Sequence, residues 1–283
     1  KIWPFFFFAA IMAGFIYPIS MGWQWGGGWL SVAGFSDFAG STLVHACGGA
    51  AALAGVIVLG AREGRFSAKG EKQSMIPFAA SSIPLVTLGT FLLWFGWFGF
   101  NGFSQLAMGT FDDVNAIAKI AVNTHLAGAA GVVTGAVLTR LIGGKTDIIM
   151  MLNGALAGLV AITAEPLTPT PMTAMLIGSV GSVIMYFGTK LLERLRLDDV
   201  VGAIPVHLFA GIFGTLVVPF TNPDTSFGIQ FLGVVSICTF SFVFSYAVFR
   251  AMKETTGLRI SKAAEKLGTD KAEIGVAAYS IRD

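Results

Sequence analysis

The chain has 283 residues, of which 54% are hydrophobic and only 12% are charged, and its formal net charge is +2. Soluble domains carry about a quarter charged residues, so this composition, with a mean hydropathy of +0.75, excludes an ordinary soluble protein. The apolar runs are continuous rather than alternating, which indicates an all-α polytopic membrane protein and not a β-barrel. Nothing in the charge pattern points to a nucleic-acid partner.

The apolar runs predict eight membrane spans, because one span needs roughly 20 mostly apolar residues. The predicted spans are 2–22, 38–61, 75–103, 114–140, 147–164, 171–192, 200–220 and 226–250. We therefore expect a transmembrane domain over residues 1–252 in a lipid bilayer, followed by a polar tail over residues 253–283.

The positions of the basic residues predict the orientation, because cytoplasmic loops are enriched in Lys and Arg. If the eight spans alternate, every Lys and Arg except Lys119 falls on one side of the membrane. The opposite loops, 23–37, 104–113, 165–170 and 221–225, contain neither residue. This pattern puts both chain ends in the cytoplasm.

Two segments of the sequence repeat each other, DFAGSTLVH at 37–45 and DVVGAIPVH at 199–207. Their helices are five spans apart and therefore cross the membrane in opposite directions. This arrangement predicts two inverted five-helix repeats with a substrate site near the midplane between them. The first repeat then needs three more helices upstream of residue 1, and we expect them because the sequence also begins without Met. The matched pairs are Asp37 with Asp199, Gly40 with Gly202, Val44 with Val206, His45 with His207 and Gly49 with Gly211.

The helix rise then locates the two repeated histidines. Eight residues at 1.5 Å place each histidine about 12 Å from its aspartate, so both are expected near the middle of a hydrocarbon layer about 30 Å thick. Asp37 and Asp199 are expected to cap the N-termini of their helices and to complement the helix dipoles.

Three interpretations of His45 and His207 stay open from the residues alone. The two could be unrelated polar residues that bond between helices, axial ligands of a haem, or a pair that lines a narrow conduction path. Ionisable groups deep in membrane helices usually mark a pathway, and the repeated spacing favours the third interpretation. Two neutral imidazoles can share a hydrogen bond and serve a small polar guest. His125 has no repeat partner and is interpreted as structural.

Other features of the sequence favour packing roles. Cys47 and Cys238 lie in apolar runs, so we expect neither a disulfide nor a metal site. The small-residue pairs Gly131/Gly135 and Gly154/Gly158 are typical of tight helix contacts.

Aromatic residues cluster in two places. Trp23, Trp25 and Trp29 lie in a loop at 23–37, where they can form an interfacial belt or offer a cation–π surface to a small ammonium-type cation. The segment LLWFGWFGFNGFSQ at 92–105 is explained by packing or by a hydrophobic constriction that gates a pore.

Several of these segments together resemble the ammonium transporter (Amt) family. They are, in chain order, WGGGWL, DFAGSTLVH, GWFGFN, NGALAGLVAIT and DDVVGAIPVH, and they extend over nearly the whole chain. The resemblance implies eleven spans, of which this chain holds the last eight, in a homotrimer with one pore in each subunit. It implies transport of ammonium or ammonia across the plasma or inner membrane, and neither an enzyme nor a cofactor.

The resemblance also assigns roles to individual pore residues. His45 and His207 are similar to the twin pore histidines of the family. Phe100 matches the inner member of its stacked phenylalanine gate, with Trp97 also in the pore. The phenylalanine of the outer gate belongs to the upstream helices and has no counterpart here.

At the outer mouth, the resemblance implies a site that recruits ammonium. Trp25 matches the tryptophan of that site and Ser104 its hydroxyl. Asp37 matches the family's aspartate nearby, which assists the site structurally or electrostatically.

The tail differs from the family pattern. The family sequence reads roughly GLDxxEHGExAY, and here residues 268–279 read GTDKAEIGVAAY. The absent His-Gly-Glu segment argues against standard docking of a PII-type nitrogen-signalling protein, the candidate partner at the cytoplasmic face. A Rh-type ammonia gas channel and an ammonium sensor of the same fold are the alternatives. The loop around Trp25 favours the transporter, because the outer cation site is where the Amt and Rh groups differ most.

Overall fold

The computed structural model describes residues 1–67 and 78–279, which form an almost entirely helical bundle without a β-strand. The predicted all-α fold class is therefore confirmed. In chain order the α-helices are α1 (Ile2–Ile11), α2 (Tyr17–Gln24), α3 (Trp29–Val32), α4 (Cys47–Leu59), α5 (Ile83–Gly102), α6 (Phe111–Gly143), α7 (Ile148–Ile162), α8 (Pro171–Arg194), α9 (Ala210–Val217), α10 (Phe227–Thr255) and α11 (Lys262–Leu267).

Shorter helical stretches of other types extend several of these helices. The turns Phe103–Gln105 and Val218–Phe220 continue α5 and α9 as 3₁₀-helix. π-Helix is rare and is found mostly as single turns, frequently at functional sites. The sequence pattern contained no signal for it. The π-helical stretches of the described chain are Met12–Ile16, Ser41–Ala46, Ile204–Phe209 and Asp270–Ile274.

The helix lengths divide the eight predicted spans into two groups. Within the described residues, six helical stretches are long and apolar enough to cross a membrane, and two apolar helices are shorter. The shorter ones, Ile148–Ile162 and Ile204–Phe220, correspond to the predicted spans 147–164 and 200–220. The six long ones are Ile2–Val32, Ser41–Leu59, Ile83–Gln105, Phe111–Gly143, Pro171–Arg194 and Phe227–Thr255.

The predicted helix starts lie within a few residues of the observed ones except at α5. The span predicted at 75–103 begins at Ile83, because the Ser82 side chain accepts the backbone N–H of Leu85 at 3.3 Å and ends the preceding loop; positions 75–77 lie outside the described residues. The span predicted from residue 38 begins at Ser41. The predicted boundary between membrane domain and tail at 252/253 falls within the last turn of α10.

The basic residues of several loops meet at one end of the bundle. Arg62 donates from Nε and Nη2 to the Asp198 carboxylate at 2.7 and 2.8 Å, and Arg65 Nε lies 3.3 Å from the same carboxylate. Arg259 donates to the Ala61 carbonyl at 2.7 Å. The ends of α4, α8 and α10 are therefore at the same end of the bundle, as alternating spans require.

The loops without basic residues meet at the opposite end. The Phe38 N–H donates to the Ala164 carbonyl at 2.8 Å, and the Asn222 amide donates to Glu165 at 2.8 Å. Gln230 on α10 is fully buried and donates to the Ser36 carbonyl at 2.6 Å. These bonds join the loop before α4 to the loops after α7 and α9.

The two repeats cross where glycines replace side chains. A Cβ on Gly49 would lie 2.6 Å from the backbone nitrogen of Leu208, and one on Gly211 would lie 3.2 Å from the backbone nitrogen of Ala46. Gly49 matches Gly211 in the repeat, and Ala46 matches Leu208, so the two contacts are related by the same two-fold symmetry. This close crossing brings the two π-helical stretches together.

Replacing Gly154 by alanine should destabilise the packing of α6 against α7. A Cβ there would lie 2.6 Å from the Gly131 carbonyl oxygen and 2.7 Å from Ser182 Oγ, and overpacking of this kind costs about 1–3 kcal/mol. Thermal melting of the purified protein measures the effect. Gly89→Ala on α5 is the control, because nothing lies within 4 Å of a Cβ there. Equal melting temperatures for the two variants would contradict this account.

The ion pairs of Asp198 with Arg62 and Arg65 should make the stability of the fold depend on pH in the acidic range. Burial by itself raises the pKa of the Asp198 carboxyl, but the hydrogen bonds and charges of Arg62 and Arg65 outweigh it, so the pKa lies below its ordinary value of 3.8. The pair therefore stabilises the fold above pH 3.8, and this contribution is lost as the pH falls through the lower, folded-state pKa. Asp198→Asn should lower the melting temperature at neutral pH, and its difference from the parent should shrink in that acidic window. Asp224→Asn, at an exposed position, should match the parent throughout; a difference for Asp198→Asn that stays constant with pH would contradict the assignment.

Candidate functional site: a histidine pair between inverted repeats

The aspartate that precedes His45 caps the start of its helix. The Asp37 carboxylate accepts four backbone N–H groups, at 2.8–3.1 Å. These are the donors that a helix N-terminus leaves without a partner inside the helix. Asp37 is only 1% exposed, so the carboxylate takes the place of water at a buried helix start. The four donors belong to Gly40, Ser41, Thr42 and Leu43.

Asp199 caps the second helix in the same way. Its carboxylate accepts the backbone N–H groups of Gly202, Ala203 and Ile204 at 3.1, 3.0 and 2.7 Å. Gly202 has φ +77°, and its repeat partner Gly40 has φ +110°, a region that side chains disfavour. The repeat read from the sequence is thus the same capped turn, present twice.

Each capped turn leads into a π-helical stretch that carries one histidine, His45 in Ser41–Ala46 and His207 in Ile204–Phe209. The Nδ1 atoms of the two rings lie 3.2 Å apart. The rings are nearly parallel, with an interplanar angle of 19° and centroids 5.2 Å apart. The structure therefore joins the two histidines directly at the contact between the repeats.

This contact constrains the protons on the two rings. A hydrogen bond between two Nδ1 atoms needs one protonated and one unprotonated nitrogen, and a neutral imidazole carries its single proton on one nitrogen or the other. The two neutral rings are then opposite tautomers, so one Nε2 is a donor and the other an acceptor. The Nε2 of His45 is buried and has no hydrogen-bond partner among the described residues.

The same distance excludes a haem iron between the rings. Metal–nitrogen bonds to histidine are about 2.0–2.1 Å long, so two axial nitrogens on opposite sides of a metal lie about 4 Å apart. At 3.2 Å the two nitrogens are too close, and the parallel rings leave no room for a porphyrin between them. The described residues also contain no group of three or more side chains that could hold a metal ion.

Aromatic rings from α5 extend the histidine pair. Trp97 stacks on His45 with a centroid distance of 5.0 Å and an interplanar angle of 17°. Phe100 lies one turn further along α5, with its ring centroid 5.5 Å from that of His45. The four residues predicted for the pore, including His207, therefore form one contiguous group.

A cavity of about 180 Å³ adjoins the histidine pair. Its walls are almost entirely apolar, including the parts of the two rings that face it. Such a space suits a small uncharged molecule better than a bare ion. The lining residues are Val44, His45, Gly48, Gly49, Ala52, Ala203 and His207.

The residues predicted for outer recruitment are only partly brought together. The Trp25 indole N–H donates to the Asp37 carbonyl at 3.0 Å, and Trp25 is 41% exposed. The Asp37 carboxylate itself points into the helix start and not to solvent. The Ser104 hydroxyl donates to the Phe100 carbonyl at 2.9 Å, and no hydrogen bond or ring contact joins it to Trp25 in the described part of the chain.

The other residues singled out in the sequence lie away from this group. His125 contacts Trp94 and Phe98, with centroid distances of 5.5 and 6.2 Å. Cys47 and Cys238 are both free thiols. None of the three lines the cavity.

Sequence reasoning missed Thr163. Its hydroxyl accepts the Trp97 indole N–H at 2.8 Å and donates to the Leu159 carbonyl at 2.7 Å. Thr163 ends the segment NGALAGLVAIT, but a single threonine at the end of an apolar helix carries no signal that separates it from an ordinary packing residue.

The comparisons with known proteins identify the family. A family model described as the Ammonium Transporter Family matches residues 1–279. This chain belongs to the ammonium transporter family. Ammonium transporter Amt2 of Archaeoglobus fulgidus is 38% identical over 303 residues, an alignment that covers 96% of this chain and 63% of the relative. This chain therefore spans less than two thirds of the length of that curated relative.

Solved structures of related proteins share the fold. A structure named Sensor Amt Protein matches with a TM-score of 0.87 at 35% identity, over 93% of this chain and 68% of its own length. Mep2 of Candida albicans matches with a TM-score of 0.81 at 29% identity, over 97% of this chain and 64% of its own. The family and the long apolar helices make this chain part of a multi-pass membrane protein.

Replacing Asp37 by asparagine should destabilise the fold more than the same change at Asp199. Asparagine has one acceptor oxygen in place of two, so two of the four buried N–H groups at Asp37 lose their acceptor. Hydrogen bonds to charged groups contribute about 1.5–3 kcal/mol each, and we expect a loss of roughly 3 kcal/mol. Asp199 accepts three N–H groups and is less buried. Thermal melting compares the two variants, and a larger effect at Asp199 would argue against the capping account.

Proposed function

We propose that this chain carries the ammonia-conducting path of an ammonium transporter. The observation that supports the proposal most strongly is the His45–His207 pair, joined at 3.2 Å beside a cavity of about 180 Å³. Family membership supplies the substrate class, because the matched relative from Archaeoglobus fulgidus is named an ammonium transporter.

Recruitment of the cation is the first step of the proposed mechanism. Trp25 is 41% exposed, and its indole N–H is already engaged by the Asp37 carbonyl, which leaves the ring face available to an ammonium ion through a cation–π contact. In the proposal, Ser104 adds a hydroxyl acceptor. Asp37 acts indirectly, because its carboxylate is occupied by helix N–H groups and holds the Trp25 loop in shape.

Deprotonation follows at the constriction near Phe100. A bare cation in a narrow apolar passage is very costly unless it is paired, whereas neutral ammonia passes at much lower cost. Ammonia then meets two imidazoles of opposite tautomer, one offering a donor and the other an acceptor. The proton that ammonium gives up enters the free Nε2 of one ring, the shared proton moves between the two Nδ1 atoms, and the other ring releases its Nε2 proton. The pair thus relays one proton separately while both rings stay neutral. Potassium is excluded because it has no proton to lose.

The assembly and its surroundings follow from the family. We infer a homotrimer with one path per subunit, in the plasma or inner membrane. The end of the bundle that carries Arg62 and Arg259 faces the cytoplasm, because basic loops stay on that side. A PII-type protein at this face remains a candidate partner, although residues 268–279 lack the family's His-Gly-Glu segment.

An ammonium sensor is the second candidate function. One matched structure, at a TM-score of 0.87, is named Sensor Amt Protein. A sensor binds ammonium without conducting it, so liposome flux separates the two functions. A Rh-type channel is distinguished by the outer site: Trp25→Leu should weaken ammonium uptake in a transporter that recruits the cation and leave a gas channel unchanged.

Replacing both His45 and His207 by alanine in the intact transporter should abolish ammonium flux or remove its selectivity over potassium. The change deletes the donor and acceptor nitrogens and widens the passage. Flux into proteoliposomes under ammonium and potassium gradients measures both quantities. His125→Ala is the matched control, because His125 does not line the cavity. Unaltered uptake and selectivity in the double variant would refute the role of the pair, and absence of flux in the parent protein would refute transport itself.

A further inference from the structure

We propose that Thr163 is a positioning residue for the conduction path, acting through Trp97 on the histidine pair. The inference rests on the proposed transport function and adds one residue to it. Thr163 is fully buried at the end of α7 and does not line the cavity.

The side chain of Thr163 fixes the plane of the Trp97 ring. An indole N–H can only donate, and a threonine hydroxyl has one proton to give and lone pairs to accept. The hydroxyl gives its proton to the Leu159 carbonyl at 2.7 Å and accepts the Trp97 N–H at 2.8 Å. The direction of both bonds is therefore determined. Because Trp97 is only 6% exposed, water does not replace this acceptor if the hydroxyl is removed.

The Trp97 ring in turn fixes the histidines. It lies against His45 at 5.0 Å and 17°, and His45 lies against His207 at 5.2 Å and 19°. The three rings form a column of nearly parallel planes. Trp97 lies at one end of this column, and its hydrogen bond to Thr163 connects it to a different helix, α7. A rotation of Trp97 about its side-chain bonds would tilt the face on which His45 rests.

The main chain of Thr163 holds the other side of the same contact. Its carbonyl accepts the Ala39 N–H at 3.0 Å, within the capped turn that starts the His45 helix. Thr163 is therefore linked to His45 in two ways. Its hydroxyl holds the Trp97 ring that stacks on His45, and its carbonyl holds Ala39, six residues before His45 in the same segment. One residue sets both the ring against which His45 stacks and the backbone from which His45 projects.

Valine at position 163 tests the inference, because it keeps the shape of threonine and removes the hydroxyl. The buried Trp97 N–H then lacks an acceptor, and we expect the maximal ammonium flux of the intact transporter to fall about two- to tenfold, the factor that corresponds to one lost hydrogen bond. The ammonium concentration at half-maximal flux should stay unchanged, since Trp25 and the outer mouth are untouched. Thr163→Ser keeps the hydroxyl and should retain most of the flux.

Thr90→Val is the matched control for loss of a buried hydroxyl on α5. Among the described residues, the Thr90 hydroxyl bonds to the Val86 carbonyl of its own helix and to no other group, at 3.0 Å, so this variant should conduct like the parent. Equal flux in Thr163→Val and Thr90→Val, with a conducting parent, would overturn the positioning role while leaving the transport function standing. Loss of flux in Thr163→Ser equal to that in Thr163→Val would also overturn it, because keeping the hydroxyl would then not preserve conduction.

Replacing the donor of the Trp97–Thr163 hydrogen bond, instead of its acceptor, gives an independent test. Trp97→Phe keeps a ring against His45 and deletes the indole N–H. The double variant Thr163→Val/Trp97→Phe should conduct no worse than Trp97→Phe alone, because the bond is already absent. Additive losses of flux in the double variant would contradict a role of the Thr163–Trp97 hydrogen bond. If Thr163→Val does not assemble, Thr163→Ala and Thr163→Ser decide, because they differ only in the hydroxyl: lower maximal flux in Thr163→Ala at unchanged half-saturation supports the inference, and equal flux in the two overturns it.

Discussion

The structure depends on the need to satisfy backbone N–H groups where a helix begins inside a protein. In hydrocarbon each such group left without a partner costs several kcal/mol, and the helices that carry His45 and His207 both begin at a buried or half-buried turn. Asp37 and Asp199 supply the acceptors. Each histidine lies eight residues after its aspartate, so the point at which the helix begins also sets the position of the imidazole. The aspartates therefore fix the depth of the histidines, although neither carboxylate touches the pair.

Close approach of the two repeats is the second requirement. Gly49 and Gly211 permit a backbone-to-backbone crossing that no side chain would allow, and the π-helical stretches next to them turn one histidine from each repeat toward the other. Each repeat contains an aspartate-capped turn, a π-helical stretch and a glycine at the crossing, and the two repeats run in opposite directions. The same local structure therefore supplies both sides of the histidine contact. The hydrogen bond across the pair breaks this symmetry, since one Nδ1 must donate and the other accept.

Much of this arrangement could be predicted from the sequence, because it rests on repeated residues. The Asp-to-His spacing and the matched glycines predicted inverted repeats whose histidines meet, and the distribution of Lys and Arg agrees with the loops that meet at the end bearing Arg62. The start of α5 was misjudged because apolar residues before Ile83 continue the hydropathy signal, while Ser82 ends the loop.

The features that could not be predicted from the sequence depend on contacts between residues far apart in the chain. Trp97 and Thr163 meet through one hydrogen bond between α5 and α7, and neither residue belongs to the repeat that drew attention to the histidines. The π-helical geometry of Ser41–Ala46 likewise has no periodic pattern of its own. Such features follow from tertiary packing, so local sequence patterns did not reveal them.

The shared hydrogen bond between His45 and His207 is the central claim, and nitrogen-15 solid-state NMR of the histidine side chains tests it most directly. The signals that disappear in His45→Ala and in His207→Ala assign the pair in the spectrum. The account predicts one protonated and one unprotonated Nδ1, coupled to each other across the hydrogen bond. Two Nδ1 signals in the same protonation state, without such a coupling, would contradict it.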